Sequence, residues 1–312
     1  MLFPISGVET AFWIPPLVAF VISFFTSMAG LSGAILLLPF QFSVLGYTSP
    51  SVTPTNLVFN VVGIPSGVYR YFREGRLNWP LAVIITCWSL PGIFLGALIR
   101  VTCLPDPSRF RLFAGVFLIY IGFRMIYQVI WDKIQGTKYQ PQNGAAEILK
   151  QVKKRAKLSD AHIKTVSFSI WRTEYEFMGE HFKFSTVGVF ILSLVVGLLG
   201  GIYGIGGAAM IAPFILTFFR LPVHTIAGAT LISACITSIA GVLFYEFVGP
   251  SLTLSPEIRV SPDWTLGCLF GTGGLFGMYL GAATQKYVPG SIIRLALALV
   301  ISSIGLNYVL MG

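Results

Sequence analysis

Of the 312 residues, 55% are hydrophobic and 11% charged, and the mean hydropathy is +0.79, whereas an ordinary soluble domain carries about a quarter charged residues. A soluble fold of this length cannot hide so much apolar surface in one core, so lipid has to be part of the solvent. The net charge of +9 does not point to nucleic acid. Residues 132–183 hold ten Lys/Arg against six Asp/Glu, and most other charges sit at the ends of apolar runs, as in the loops of membrane proteins.

The N-terminus lacks a positively charged lead and runs into a long apolar stretch, so a cleaved signal peptide is not expected. The first group of apolar segments covers 12–46, 51–72, 79–101 and 107–131; the second covers 186–220, 223–247, 263–285 and 290–311. About 20 apolar residues cross the hydrocarbon once. The first member of each group is longer and carries a glycine-rich break: Met28-Ala29-Gly30-Leu31-Ser32-Gly33, and Gly200-Gly201-Ile202-Tyr203-Gly204-Ile205-Gly206-Gly207. A short apolar run containing Pro39 or Pro213 follows each break.

With a constant offset of 174, residues 30–72 lie on 204–246, and nine of the 43 pairs are identical, among them Gly30/Gly204, Gly33/Gly207, Pro39/Pro213, Gly67/Gly241 and Tyr71/Tyr245. Leu95-Gly96-Ala97 recurs as Leu280-Gly281-Ala282, and Arg111-Leu112 as Arg294-Leu295. The chain therefore reads as an internal duplication. The basic loop around Arg70, Arg73 and Arg76 belongs in the cytoplasm, while its counterpart 247–262 reads as external, so the halves are expected to be inverted. Inversion requires an odd number of crossings per half, which works if each broken segment enters and returns as a hairpin. Arg100, Arg109 and Arg111 would then lie outside, which weighs against this orientation.

Between the halves, residues 145–158 show helical spacing and residues 164–184 alternate polar with apolar around Gly179-Glu180, as short antiparallel strands do. The expected fold is an all-α polytopic membrane protein with two inverted repeats. Each has a broken, re-entrant segment plus three spans. The boundaries are an N-terminal repeat at 1–131, a small α+β cytoplasmic insert at 132–184, serving as linker or regulator, and a C-terminal repeat at 185–312.

Unwound backbone at membrane depth survives only inside protein or along a cavity. A helix beginning after a glycine turn directs free N–H groups and a partial positive charge at one point, which suits an anion. Two such ends from opposed halves would build one pocket without a buried lysine or arginine. The candidate substrate-binding residues are Gly30, Ser32, Gly33, Gly204, Gly206 and Gly207 on the breaks, with Asn56, Asn60, Thr230 and Ser233 on the helices that follow. Close helix packing alone is the competing explanation for the glycines, and helix–helix bonding for the amides and hydroxyls.

No Asp or Glu lies inside an expected span; Glu74 and Glu246 sit at span ends. His162, His181 and His224 have no ligand spacing, and Cys87, Cys103, Cys235 and Cys268 have no metal-like spacing. No metal, catalytic group or cofactor is expected. Arg124 lies within a span near its cytoplasmic end, where it either snorkels or lines an anion path.

At Ala29-Gly30-Leu31-Ser32-Gly33, Gly201-Ile202-Tyr203-Gly204-Ile205-Gly206-Gly207, Thr53-Pro54-Thr55-Asn56 and Ala227-Gly228-Ala229-Thr230 the chain resembles the TauE/SafE family of sulfite and organosulfonate exporters. The resemblance covers both hydrophobic halves and excludes 132–184; Ser32 departs from the pattern, which prefers glycine there. It implies export of a small sulfur-containing anion, such as sulfite or sulfoacetate, across a prokaryotic cytoplasmic membrane. An anion channel and a membrane sulfur-handling protein using Cys87 or Cys235 stay open, as does a homo-oligomer.

Overall fold

The computed structural model describes residues 1–28, 31–73, 75, 77–134, 163–177, 179–208, 210–219, 221, 223–252, 259–284 and 290–310. Gly30 and the expected helix at 145–158 lie outside the described residues.

Among the described residues the main helices are, in order, α1 (Ile14–Met28), α2 (Ala34–Ser43), α3 (Val52–Arg73), α4 (Trp79–Thr102), α5 (Pro107–Ile134), α6 (Thr186–Tyr203), α7 (Ile211–Phe219), α8 (Val223–Leu243), α9 (Trp264–Thr284) and α10 (Gly290–Leu310). The chain leaves α8 through a π-helical turn, Phe244–Val248, and one further helical turn ending at Leu252. Glu246, expected at a span end, is thus carried inside a continuing helix.

Five of these helical stretches are long and apolar enough to cross a membrane: Trp79–Thr102, Pro107–Tyr127, Thr186–Tyr203, Thr225–Leu252 and Ile293–Leu310. Helix α3 is less apolar because it is the shielded one. Its polar residues Thr53, Thr55, Asn56 and Asn60 are all buried, so they face protein rather than lipid. Many large apolar side chains elsewhere are exposed, including Phe12, Phe25, Phe123 and Phe276, as lipid contact requires. Trp13, Trp79 and Trp264, at the starts of α1, α4 and α9, are exposed as well, the usual placement of an interfacial aromatic belt. The chain is a multi-pass membrane protein.

Glycines set the helix contacts. A methyl group on Gly273, Gly277 or Gly281 of α9 would strike the α1 backbone at Pro16, Phe20 or Phe24 in turn. One on Gly92 or Gly96 of α4 would strike α6 at Leu194 or Leu198. Residue numbers rise together in both pairs, so these helices run parallel, at the close approach that small residues allow. Helix α3 also runs parallel to α9, with Gly267 against Val58, Gly271 against Val62, and Ser66 Oγ donating to Leu275 O at 3.1 Å. Because α1 and α3 both follow α9, the chain between them, including α2, has to double back. The same argument applies to α7, since α6 and α8 both run along α4, α8 by way of Ser233 on Ala82 and Gly241 on Ile93.

Two other pairs run antiparallel: α3 with α8, where Gly67 meets Leu231 and Gly241 meets Leu57, and α5 with α10, where Gly115 meets Gly305 and Gly122 meets Ala298.

Before α6 lies a three-stranded antiparallel sheet in the order β1 (Lys164–Phe168), β2 (Arg172–Phe177), β3 (Glu180–Ser185). Gly179 turns β2 into β3 with φ +80°. Thr173, Tyr175 and Phe177 alternate inward on β2, and the Tyr175 hydroxyl meets Thr225 Oγ1 at 2.7 Å, which ties the sheet to the start of α8. Burial raises the Tyr175 pKa, so the hydroxyl stays protonated. Ser185 ends the sheet and caps α6, its Oγ accepting from Gly188 N at 3.2 Å.

Candidate anion site at the two helix breaks

The second break is a helix end followed by a left-handed turn. Gly204, at φ +82°, closes α6: its N–H and that of Ile205 both donate to Gly200 O, at 2.8 and 3.1 Å. Gly206 is again left-handed, at φ +81°. Only glycine adopts two such residues in three positions without strain. Space makes the same demand, since a Cβ on Gly204 would lie 2.7 Å from Thr53 O and one on Gly206 2.5 Å from Ser238 Oγ. In the first break, Leu31 N donates to Thr26 O at 3.0 Å, and Gly33 precedes α2. A Cβ on Gly33 would come 2.6 Å from Ser23 Oγ.

The breaks meet at α3. Asn56 Nδ2 donates to Ala34 O at 3.0 Å and to Gly204 O at 2.9 Å, one carbonyl from each break region. Its own oxygen accepts from Gln41 Nε2 of α2 at 3.3 Å. Asn60 Nδ2 donates to Ile205 O at 2.7 Å and to Ser238 Oγ at 3.3 Å, while its oxygen accepts from Ser32 Oγ at 2.7 Å. Tyr203 adds a further tie, donating to Ile35 O at 3.0 Å. All these side chains are buried. The amides therefore satisfy carbonyls that the unwound backbone cannot pair by itself.

What remains over is donors. Among the described residues, none accepts a hydrogen bond from the N–H of Gly33, Gly206 or Gly207. Uncompensated N–H groups before a helix suit an oxyanion. Ser23 Oγ, buried beside Gly33, also finds no described partner.

The structure thus gathers Ser32, Gly33, Asn56, Asn60, Gly204, Gly206 and Gly207 at one place, with Gln41 and Ser238 as members that sequence reasoning left out of the site. Gln41 sits five residues before the apolar run 12–46 ends and gives no spacing signal; Ser238 is one of several hydroxyls on α8. Thr230 and Ser233 stand apart from this network. Thr230 Oγ1 donates to Ala227 O of its own helix at 3.1 Å. Ser233 Oγ serves α8–α4 packing, donating to Ala82 O at 3.0 Å and accepting from Thr86 Oγ1 at 2.9 Å. Gly30 lies outside the described residues. Arg124 does not reach this network through any described bond; its guanidinium lies over Phe214 and Phe218 of α7, at 5.8 and 5.3 Å. The four cysteines are free, and Cys87, Cys103 and Cys268 are exposed on the helix surfaces. Among the described residues no group of three His, Cys, Asp or Glu side chains is placed to hold a metal.

Its known relatives identify this bundle of apolar helices, with two interrupted segments meeting at a buried polar centre, as a membrane transporter. The family model described as "Sulfite exporter TauE/SafE" matches residues 16–308, and the chain belongs to that family. It is similar to the probable membrane transporter protein YunE of Bacillus subtilis (strain 168), 24% identical over 296 residues covering 92% of this chain and 93% of that protein. A probable membrane transporter protein of Xylella fastidiosa (strain Temecula1) is 22% identical, covering 91% and 90%. YdhB of Bacillus subtilis (strain 168), another probable membrane transporter protein, is 20% identical, covering 93% and 97%. No solved structure matches the chain.

Proposed function

We propose that the protein is a secondary transporter of small sulfur-containing anions, sulfite or an organosulfonate, that exports them across a prokaryotic cytoplasmic membrane by alternating access. The observation that carries this reading is the convergence of Gly33 and Gly206–Gly207, whose N–H groups lack described acceptors, on a point where Asn56 and Asn60 occupy the neighbouring carbonyls. Donors without a fixed counter-charge favour an anion and let it leave again. The family description supplies the sulfur; the geometry supports only the anion.

The halves are related, in this reading, by a two-fold axis in the membrane plane. Gly67 and Gly241 are equivalent residues, and so are Leu57 and Leu231; the contacts Gly67–Leu231 and Leu57–Gly241 are therefore reciprocal, as a two-fold requires. The parallel pairs α1–α9 and α6–α4 exchange as well, α1 overlying α6 at the offset of 174 and α4 overlying α9 at 185, where Leu95-Gly96-Ala97 meets Leu280-Gly281-Ala282. Each interrupted segment then enters and returns on one side, leaving three crossings per half, and the sheet-bearing insert lies in the cytoplasm with Arg70 and Arg73.

The test is export of radiolabelled sulfite from proteoliposomes, with thermal unfolding of the purified protein against sulfite, sulfoacetate, taurine, thiosulfate, sulfate and a carboxylate control. Saturable sulfite flux that disappears in the Gly33→Leu/Gly207→Leu double variant is expected. Full flux in that variant would overturn the site; stabilisation by the carboxylate equal to that by the sulfur anions would overturn the substrate class.

A further inference from the structure

Arg100 is fully buried in the last turn of α4. Its guanidinium lies on the Phe110 ring, 3.9 Å from the centroid. Nε donates to Thr53 Oγ1 at 3.2 Å, and Nη1 donates to Leu104 O. Nη2 is buried without an acceptor, and no carboxylate among the described residues forms an ion pair with this side chain. An unpaired buried charge is costly, and an orphaned donor in a folded core calls for a reason.

The surroundings connect it to the second break. Thr53, which holds Nε, is the residue that a side chain on Gly204 would strike. Tyr245, an electrostatic neighbour of Arg100, donates to Gly201 O at 3.4 Å. Tyr245 sits in the π-helical turn Phe244–Val248, and such turns recur at functional sites. A cation at the end of α4 also meets the carbonyl end of that helix favourably, and this accounts for the Nη1 contact. It does not account for Nη2, nor for a full charge where a neutral cap would serve.

We infer that Arg100 is a second binding residue for the transported anion, placed beside the second break so that Nη2 and the second N–H of Nη1 present a planar fork to two oxygens of one oxyanion, Nε being held by Thr53. This rests on the anion-transport reading above and adds to it a ligand class. A guanidinium fork pairs with sulfite, sulfate or a sulfonate through two parallel hydrogen bonds, and a halide offers no such pair of acceptors. Thr53 holds the fork in plane, and the Phe110 ring supports its face.

The experiment uses the full-length protein in lipid nanodiscs, with thermal unfolding in sodium sulfite, sodium sulfate and sodium chloride at equal ionic strength. In the wild type the oxyanions raise the Tm and chloride does not. Arg100→Met keeps the stem against Phe110 and removes the charge. It is expected to unfold at the wild-type Tm or above without anion, and to lose the oxyanion shift. Arg100→Lys keeps the charge without the fork, so it should bind sulfite about ten- to a hundredfold more weakly and discriminate less against chloride. If Arg100→Met does not fold, the Arg100→Lys comparison decides alone. Equal oxyanion shifts in the wild type and the variants would overturn the role of Arg100 and leave the anion-transport reading standing. A wild type that no anion stabilises would overturn both.

Discussion

The side-chain nitrogen of Asn56 stands 2.9 Å from the carbonyl oxygen of Gly204, a residue 148 positions away in the chain. The same nitrogen donates to Ala34 O at 3.0 Å, so one amide group joins the two interrupted segments. Any motion of one half against the other has to break or carry this link. Its chemistry also constrains the site: two backbone carbonyls need a donor, and an acid at position 56 has none when ionised.

Asn56→Asp therefore keeps the shape and removes the two donations, leaving two buried carbonyls facing a carboxyl group. We expect a loss of about 2–4 kcal/mol in stability and no sulfite flux. Asn56→Thr, which installs the residue found at the equivalent position in the second half, should lose less. Chemical denaturation in micelles reads the first effect and proteoliposome export the second. An aspartate variant as stable as the wild type would mean that the amide does not hold the breaks together.

Gly206 offers a test in which two faults are separable. Its φ of +81° strains any residue with a Cβ, by about 1–2 kcal/mol, and the added Cβ would lie 2.5 Å from Ser238 Oγ. Gly206→Ala is expected to destabilise by both amounts. The pair Gly206→Ala/Ser238→Ala should recover the steric share and keep the backbone share. A double-variant cycle on Tm checks this; strict additivity would show that the hydroxyl and the new methyl do not collide.

The breaks were legible in the sequence because glycine is the residue that unwound, crowded backbone demands, and because the two copies lie at one offset. The role of the asparagines was only half legible. Asn56 and Asn60 share a helix face at a spacing of four, which marks them as a pair, yet whether they serve substrate or backbone depends on which carbonyls lie opposite. That is settled by α2 and the second break, far away in sequence. Arg100 stands at the end of the apolar run 79–101, on the external side in the expected topology, and that position alone gives no sign of a buried charge. Its burial follows from Phe110, Thr53 and Tyr245 closing over it, contacts that no local pattern announces. In the same way, the alternation across 164–184 marks the strands but not which of them are covered: β1 is exposed throughout, whereas β2 buries Thr173, Tyr175 and Phe177.

Among the described bonds from the sheet to the membrane part, the Tyr175 hydroxyl on Thr225 Oγ1, at 2.7 Å, is the fully buried one, beside less buried ties from Thr186 to Thr173, Ser169 and Trp171. Tyr175→Phe removes it without changing the packing of the ring on Phe182, 5.4 Å away between centroids. We expect about 1 kcal/mol of lost stability and faster proteolysis between 163 and 185, with the helices intact. Unchanged protease resistance would show that the apolar contacts of Phe177 and Phe184 suffice to dock the sheet.

Packing alone tests the relation between the halves. Gly96 of α4 and Gly281 of α9 are equivalent in the duplication. A methyl group on Gly96 would strike α6 at Leu198 O and Gly201, and one on Gly281 would strike α1 at Phe24 O and Ser27. Those targets are themselves equivalent, because Phe24 and Ser27 lie 174 residues before Leu198 and Gly201. Gly96→Ala and Gly281→Ala should therefore cost similar amounts, about 1–3 kcal/mol each for overpacking against rigid backbone. The Ser27 hydroxyl can rotate away where the α6 backbone cannot, so Gly281→Ala is expected to be the milder. Unfolding of each single variant in nanodiscs measures the pair. A large cost at one position with none at the other would mean that the two parallel interfaces are not built alike, and that the duplicated sequence has diverged in how it packs.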